Sequence, residues 1–310
     1  MVGAGPAGLA CATVAAERGH RVTLFDAAGE IGGQFNIAKQ IPGKEEFHET
    51  LRYFRHRLED TGVDVRLSTT ADADTLKGFD EVVLATGIRP RKVTFPGSDH
   101  AKVVGYLDVL SGRVRPGPRV AIIGAGGIGF DTAEYLVHMP VVDPAAFELP
   151  PLHGAPEHRS LSLDPQRWMA EWGVDPTFSG PGGLRKPSPE PPTREVWLLQ
   201  RSPGKPGAKL GKTTGWIHRA ALKAKQVTML GSVEYVGIDD SGLRIRVEGK
   251  ERLLPVDQVV VCAGQEPRRE LFDALQAAGV AAHLIGGADV AAELDAKRAI
   301  AQGSRLSAGF

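Results

Sequence analysis

The 310-residue chain is poor in cysteine: it has two, Cys11 and Cys262, each inside an apolar stretch and far from the other, and no C-x-x-C occurs. Neither a dithiol redox pair nor a cysteine-ligated iron–sulfur cluster can therefore be housed in this chain alone, and both thiols read as small buried hydrophobes. Net charge is also lacking, since 37 Lys+Arg balance 37 Asp+Glu. No global field then selects nucleic acid or an anionic membrane. No apolar run approaches the roughly 18 residues of a spanning helix, and no signal peptide precedes the first motif. The expected location is a reducing cytoplasm. No metal-ligand cluster and no clear catalytic acid or base is read from the residues.

Glycine, by contrast, is abundant and patterned. Gly3-Ala4-Gly5-Pro6-Ala7-Gly8 reads G-x-G-x-x-G between a strand stub and a small-residue helix. Arg21–Phe25 follows as a strand and ends in Asp26. Strand, glycine turn, helix, strand and acid together describe a dinucleotide site. The glycines serve a tight turn, close approach to a pyrophosphate and helix–strand packing, and the helix N-terminus offers amides to phosphates. Asp26 stands where a carboxylate can accept from a ribose. Gly32-Gly33-Gln34 is a second glycine turn against the same ligand. Ala85-Thr86-Gly87 closes a buried strand and resembles the A-T-G exit of flavoproteins with two dinucleotide domains. Only Met1-Val2 precede Gly3, where a buried strand usually has about five residues. The chain therefore reads as severed from a longer protein, with part of this site's central strand missing.

The pattern returns after a Pro-rich crossover at 113–119. Val120–Ile123 is a strand, Gly124-Ala125-Gly126-Gly127-Ile128-Gly129 a second G-x-G-x-x-G, and Phe130–His138 a helix. Residues 139–193 read as a Pro/Gly-rich surface insertion, with a short helix at 164–172. The next strand, Glu195–Leu199, leads to Gln200-Arg201, with Lys205 beyond. An acid is absent where Asp26 stands in the first unit, and cations follow; a 2′-phosphate is attracted there and a carboxylate would repel it. The expected cofactor is NADPH. Gly207–Thr213 is one residue short of a P-loop, so ATP hydrolysis is not expected. A hairpin turns at 239–242. Near the C-terminus His283–Asp289 reads as a strand, glycines and an Asp that starts a helix at 290–302. Gly287 and Asp289 would meet a flavin's ribityl chain, with the helix dipole against its pyrimidine edge.

The fold class expected is α/β, with two Rossmann-like dinucleotide-binding domains, the second inserted in the first. The expected boundaries are 1–112 with 265–310 for FAD, and 113–264 for NADPH. The motifs, with Gly211–Arg219, Cys262–Pro267 and Leu284–Gly303, resemble the C-terminal region of the bacterial 2,4-dienoyl-CoA reductases. These belong to the NADH:flavin oxidoreductase family that includes trimethylamine dehydrogenase. The resemblance implies FAD held by Gly3, Gly5, Gly8, Asp26, Gln34 and Asp289, and NADPH by Gly124, Gly126, Gly129, Arg201 and Lys205. It also implies a partner in cis or trans: an N-terminal barrel with FMN and a 4Fe–4S cluster, which this sequence does not contain. The expected activity is the first leg alone, NADPH to FAD. A stand-alone NADPH:acceptor flavin reductase and a nucleotide-binding remnant without turnover remain as alternatives.

Overall fold

The structure, a computed structural model, describes residues 1–139, 141, 164–291 and 295–310. Its contacts divide the chain into two compact units: Met1–Lys39, Glu46–Arg91 and Gln265–Phe310 form the first, and Gln40–Glu45 with Lys92–Gly264 the second. Residues 92–112, expected from sequence in the first domain, thus cluster with the second unit. The reason is a strand: Val103–Gly105 pairs in parallel with Gln258–Val261.

In the first unit Thr23–Phe25 pairs in parallel with Asp64–Arg66, and Val83–Leu84 with His283–Leu284. Val2 bridges Phe25 on one side and Leu84 on the other, both in parallel. Its N–H donates to Val83 O at 2.9 Å and its carbonyl accepts from Ala85 N at 2.7 Å. The central strand is represented by that bridged residue. Helix Pro6–Glu17 is rich in Ala and Gly because it is buried closely by helix Ala296–Ser307. A Cβ at Gly303 would overlap the Ala7 carbonyl, and Ser307 Oγ lies 2.8 Å from both the carbonyl oxygen and Sγ of Cys11. Helix Phe47–Asp60 buries Leu51, Phe54 and Leu58, the face given by their three- and four-residue spacing.

The second unit is a five-stranded parallel sheet in the order Val103–Gly105, Gln258–Val261, Arg119–Ile123, Glu195–Leu199 and Thr228–Leu230. Its strands are continuous apolar runs because both faces are covered. Glu234–Asp239, Gly242–Val247 and Lys250–Leu254 form a separate antiparallel meander, turning at 239–242 as expected. The insertion is described from Asp164 onward; 140 and 142–163 lie outside the described residues. Helix Pro165–Trp172 is capped by Asp164, which accepts from Gln166 N and Arg167 N. It is anchored rather than loose: Glu171 pairs at 3.0 Å with Lys225, whose side chain is 2% exposed. No helix among the described residues is long and apolar enough to cross a membrane.

The C-terminal helix differs from its expected position. It runs Ala296–Ser307, with the Asp295 side chain accepting from Lys297 N at 2.9 Å. Gly286–Ala288 is a 3-10 turn that ends at Asp289. Asp289 therefore does not start the long helix, whose N-terminal dipole end lies at Asp295 instead. Glu293-Leu294 of the C-terminal motif lie outside the described residues.

Candidate functional site

In the first unit the three motif glycines divide by what surrounds them. Gly3 sits at φ +103°, and a Cβ there would overlap the Ala85 carbonyl. A Cβ on Gly8 would fall on the Gly3 carbonyl oxygen. These two are required by the fold. Gly5 has φ −81°, which any residue adopts, and no atom lies within 4 Å of the Cβ it lacks. The space beside Gly5 is open, at the start of a helix whose first amides have no intrahelical partner. That is a cradle fitted to a pyrophosphate.

Asp26 organises the turn. Its Oδ2 accepts from Ala4 N at 2.6 Å and its Oδ1 from Ala28 N at 2.7 Å. Each oxygen retains a second lone pair for a ligand hydroxyl. Gly32 N donates to Ala4 O at 2.8 Å, and Gly33, at φ +51°, would put a Cβ 3.0 Å from Gly5 Cα. Gln34 begins the short helix Gln34–Ala38. Ala85 lies against Gly3 and Gly8. Thr86 Oγ1 donates to Arg268 O at 2.7 Å, and Arg268 N donates to Gly87 O at 3.0 Å. A Cβ on Gly287 would lie 3.2 Å from the Gly87 carbonyl carbon. Asp289 Oδ2 accepts from Gln302 Nε2 at 2.7 Å, and Gln302 Oε1 accepts from Gly286 N at 2.9 Å. Gln302, which sequence reading passed over, thus fixes the carboxylate to its own turn.

The second unit repeats the device. Gly124, at φ +112°, would clash with the Cys262 carbonyl if it had a Cβ, and Gly129 with Gly124 O. Gly126 has φ −86° and nothing within 4 Å. The difference is at the strand exit. Gln200 occupies the acid's place, and Arg201 and Lys205 beyond it are exposed. Burial raises the Tyr235 phenol, and the nearby Arg201 charge offsets part of that.

Sequence reading also missed an ion pair on the helix after this turn. Lys44 Nζ lies 2.6 Å from Asp131 Oδ2, with the two side chains 33% and 23% exposed. The residues are 87 positions apart, and no local pattern couples them. His218 joins the group: burial lowers its pKa, Asp131 raises it and Lys44 lowers it further.

Both cysteines are free and buried. Burial pushes the Cys262 thiol up to about 12, with Sγ 3.5 Å from Thr132 Oγ1, and raises Cys11 as well. Neither offers a thiolate near neutral pH. Among the described residues no group of three or more His, Cys, Asp or Glu is placed to hold a metal ion.

Known proteins resemble most or all of the chain. A metal reductase of Desulforamulus reducens is 29% identical over 282 residues, covering 89% of this chain and 38% of that protein. A 2-naphthoyl-CoA reductase structure matches with a TM-score of 0.77 at 26% identity, covering 100% of this chain and 39% of that one. Thioredoxin reductase of Lactococcus lactis matches with a TM-score of 0.62 at 16% identity, a likeness of fold, covering 99% of this chain and 95% of that one. The chain thus spans under two-fifths of the length of the first two. Residues 1–297 match one family model, and with its two glycine-turn units the chain belongs to the pyridine nucleotide-disulphide oxidoreductases, flavin-dependent enzymes that bind FAD and a pyridine nucleotide.

Proposed function

We propose that the chain takes hydride from NADPH onto FAD, with FAD in the first unit and NADPH in the second. The observation that carries this is the pairing of two equivalent open cradles, at Gly5 and Gly126, with unlike strand exits. Asp26 ends the first exit. Gln200, Arg201 and Lys205 form the second, and a cation there suits a 2′-phosphate. Gly3, Gly5, Gly8, Asp26, Gly33 and Gln34 would hold the adenosine and pyrophosphate of FAD. Ala85, Thr86, Gly87, Gly287 and Asp289 would line its flavin side. Gly124, Gly126 and Gly129 would cradle the pyrophosphate of NADPH, with Arg201 and Lys205 at its phosphate. The cofactors, when bound, supply the hydride chemistry, and the protein positions them and supplies the charge around them.

The acceptor beyond FAD is read from likeness. The chain has no C-x-x-C and no ionised thiol, so a dithiol of its own does not pass electrons on. Its similarity to the dienoyl-CoA reductases and to 2-naphthoyl-CoA reductase supports an unsaturated acyl-CoA as the final substrate, reached through an FMN and 4Fe–4S barrel supplied in cis or trans. We test the reading by reconstituting the chain with FAD and titrating it anaerobically with NADPH, then NADH. Loss of visible flavin absorbance at lower NADPH than NADH is expected. A colourless chain that takes up no FAD would make it a nucleotide-binding remnant.

A further inference from the structure

Gln200 does more than vacate the place of an acid. We propose that it is a positioning residue for cofactor choice: its carboxamide shapes the loop 200–205 so that Arg201 and Lys205 are presented to a 2′-phosphate. The inference rests on the NADPH reading above.

The backbone of Gln200 remains in the sheet edge, its N–H donating to Leu230 O at 2.8 Å. The side chain turns into its own loop. Nε2 lies 3.1 Å from Ser202 O and 3.5 Å from Gly204 O. A carboxamide nitrogen has two N–H donors, which suits two carbonyls; a carboxylate only accepts and would face both oxygens with no proton to give. An acid therefore does not fit this loop shape. The change from acid to Gln removes a repulsive charge and also converts an acceptor into the donor that closes the turn.

The loop is braced from its other side by backbone. Ser232 N donates to Ser202 O at 3.2 Å. Gly204 is at φ +93°, and its carbonyl approaches so near Gly231 that a Cβ there would overlap it. These restraints persist when the Gln200 side chain is changed, so the sheet should still form. Between 200 and 212 the chain has Arg201, Lys205, Lys209 and Lys212 and no acid. Arg201, Ser202 and Lys205 are all exposed. Folding the loop gathers donors for a dianion on one short turn.

The test uses the full chain loaded with FAD and two probes, 2′,5′-ADP and 5′-AMP, whose affinity ratio isolates the 2′-phosphate. The wild-type chain is expected to prefer 2′,5′-ADP by about tenfold or more. Gln200→Met should shrink that ratio about fivefold to tenfold, the scale of one lost hydrogen bond, with 5′-AMP affinity unchanged. Gly231→Ala, which displaces the Gly204 carbonyl with residue 200 untouched, should shrink it likewise. Gln200→Glu should abolish it. A wild-type ratio retained in Gln200→Met but lost in Gln200→Glu would overturn the positioning role and leave charge alone as the determinant. A wild-type chain without preference for 2′,5′-ADP would instead overturn the NADPH reading itself.

Discussion

Replacing Gly126 by Ala separates what the glycine turns do for the fold from what they do for a ligand. At Gly126 the backbone has φ −86° and ψ −173°, open to any L-residue. No atom stands within 4 Å of the added methyl. Alanine there strains nothing, and the gain from restricting the unfolded chain, about 0.4–1 kcal/mol, is offset by a loss of similar size from replacing a favoured glycine N-cap. For a chain of this size Tm should therefore change by no more than about 1–2 °C. The methyl does enter the space claimed for the pyrophosphate of NADPH. Loss of one charge-assisted amide bond to phosphate, about 1.5–3 kcal/mol, weakens binding about 10- to 150-fold. Gly129→Ala is the contrast, because its Cβ would fall on the Gly124 carbonyl oxygen and the backbone must move. It should lower Tm by several degrees. The assay is thermal unfolding of FAD-loaded protein beside the Kd for NADPH. The reasoning is refuted if Gly126→Ala unfolds as early as Gly129→Ala, or if it binds NADPH as tightly as the wild type.

Three further outcomes are expected. Arg201→Ala should weaken NADPH by about tenfold more than NADH, since a guanidinium–phosphate contact is lost; equal loss for both cofactors in a binding titration would sink the NADP assignment. Asp289→Ala should lower FAD occupancy at limiting FAD, because it removes both the partner of Gln302 at 2.7 Å and the ribityl contact proposed for Asp289; unchanged flavin content speaks against that role. Glu134 gives a pH dependence. Burial, reinforced by the Glu171 carboxylate and opposed by Lys225, pushes it from 4.5 up to about 7. A raised carboxyl favours the folded state when protonated, so its contribution is complete below about pH 4.5 and is lost as pH rises to about 7. The window spans on the order of 3 kcal/mol. Tm against pH should fall more steeply across it in the wild type than in Glu134→Gln, a comparison in which the opposite slope from the lowered His138 is common to both. Parallel curves would contradict it.

The parts legible in the sequence were those encoded locally. Each glycine turn was, because Gly3, Gly8, Gly124 and Gly129 answer steric demands made by residues a few positions away or by one neighbouring strand. The apolar strands of the second sheet and the hairpin at 239–242 were, because burial on both faces and a tight turn leave a short-range pattern. What escaped reading depends on distant partners. Val103–Gly105 carries no mark of which sheet it joins until Gln258–Val261 arrives beside it. Lys44 and Asp131 meet only in the fold. The start of the C-terminal helix is not legible locally, because Val290 and Ala291 suit a helix as well as Ala296 does; the Asp295 cap decides it. Gln200 was recognised as a missing acid, but its donor role required the positions of two carbonyls in its own loop.

The central claim is that one chain holds both cofactors and passes hydride between them. The most direct measurement is an anaerobic single turnover, in which FAD-loaded chain is mixed rapidly with a small excess of NADPH while flavin absorbance and NADPH fluorescence are followed together. One flavin reduced for each NADPH oxidised, with no other protein present, is the predicted result. Flavin that stays oxidised while NADPH remains bound and unconsumed would contradict it.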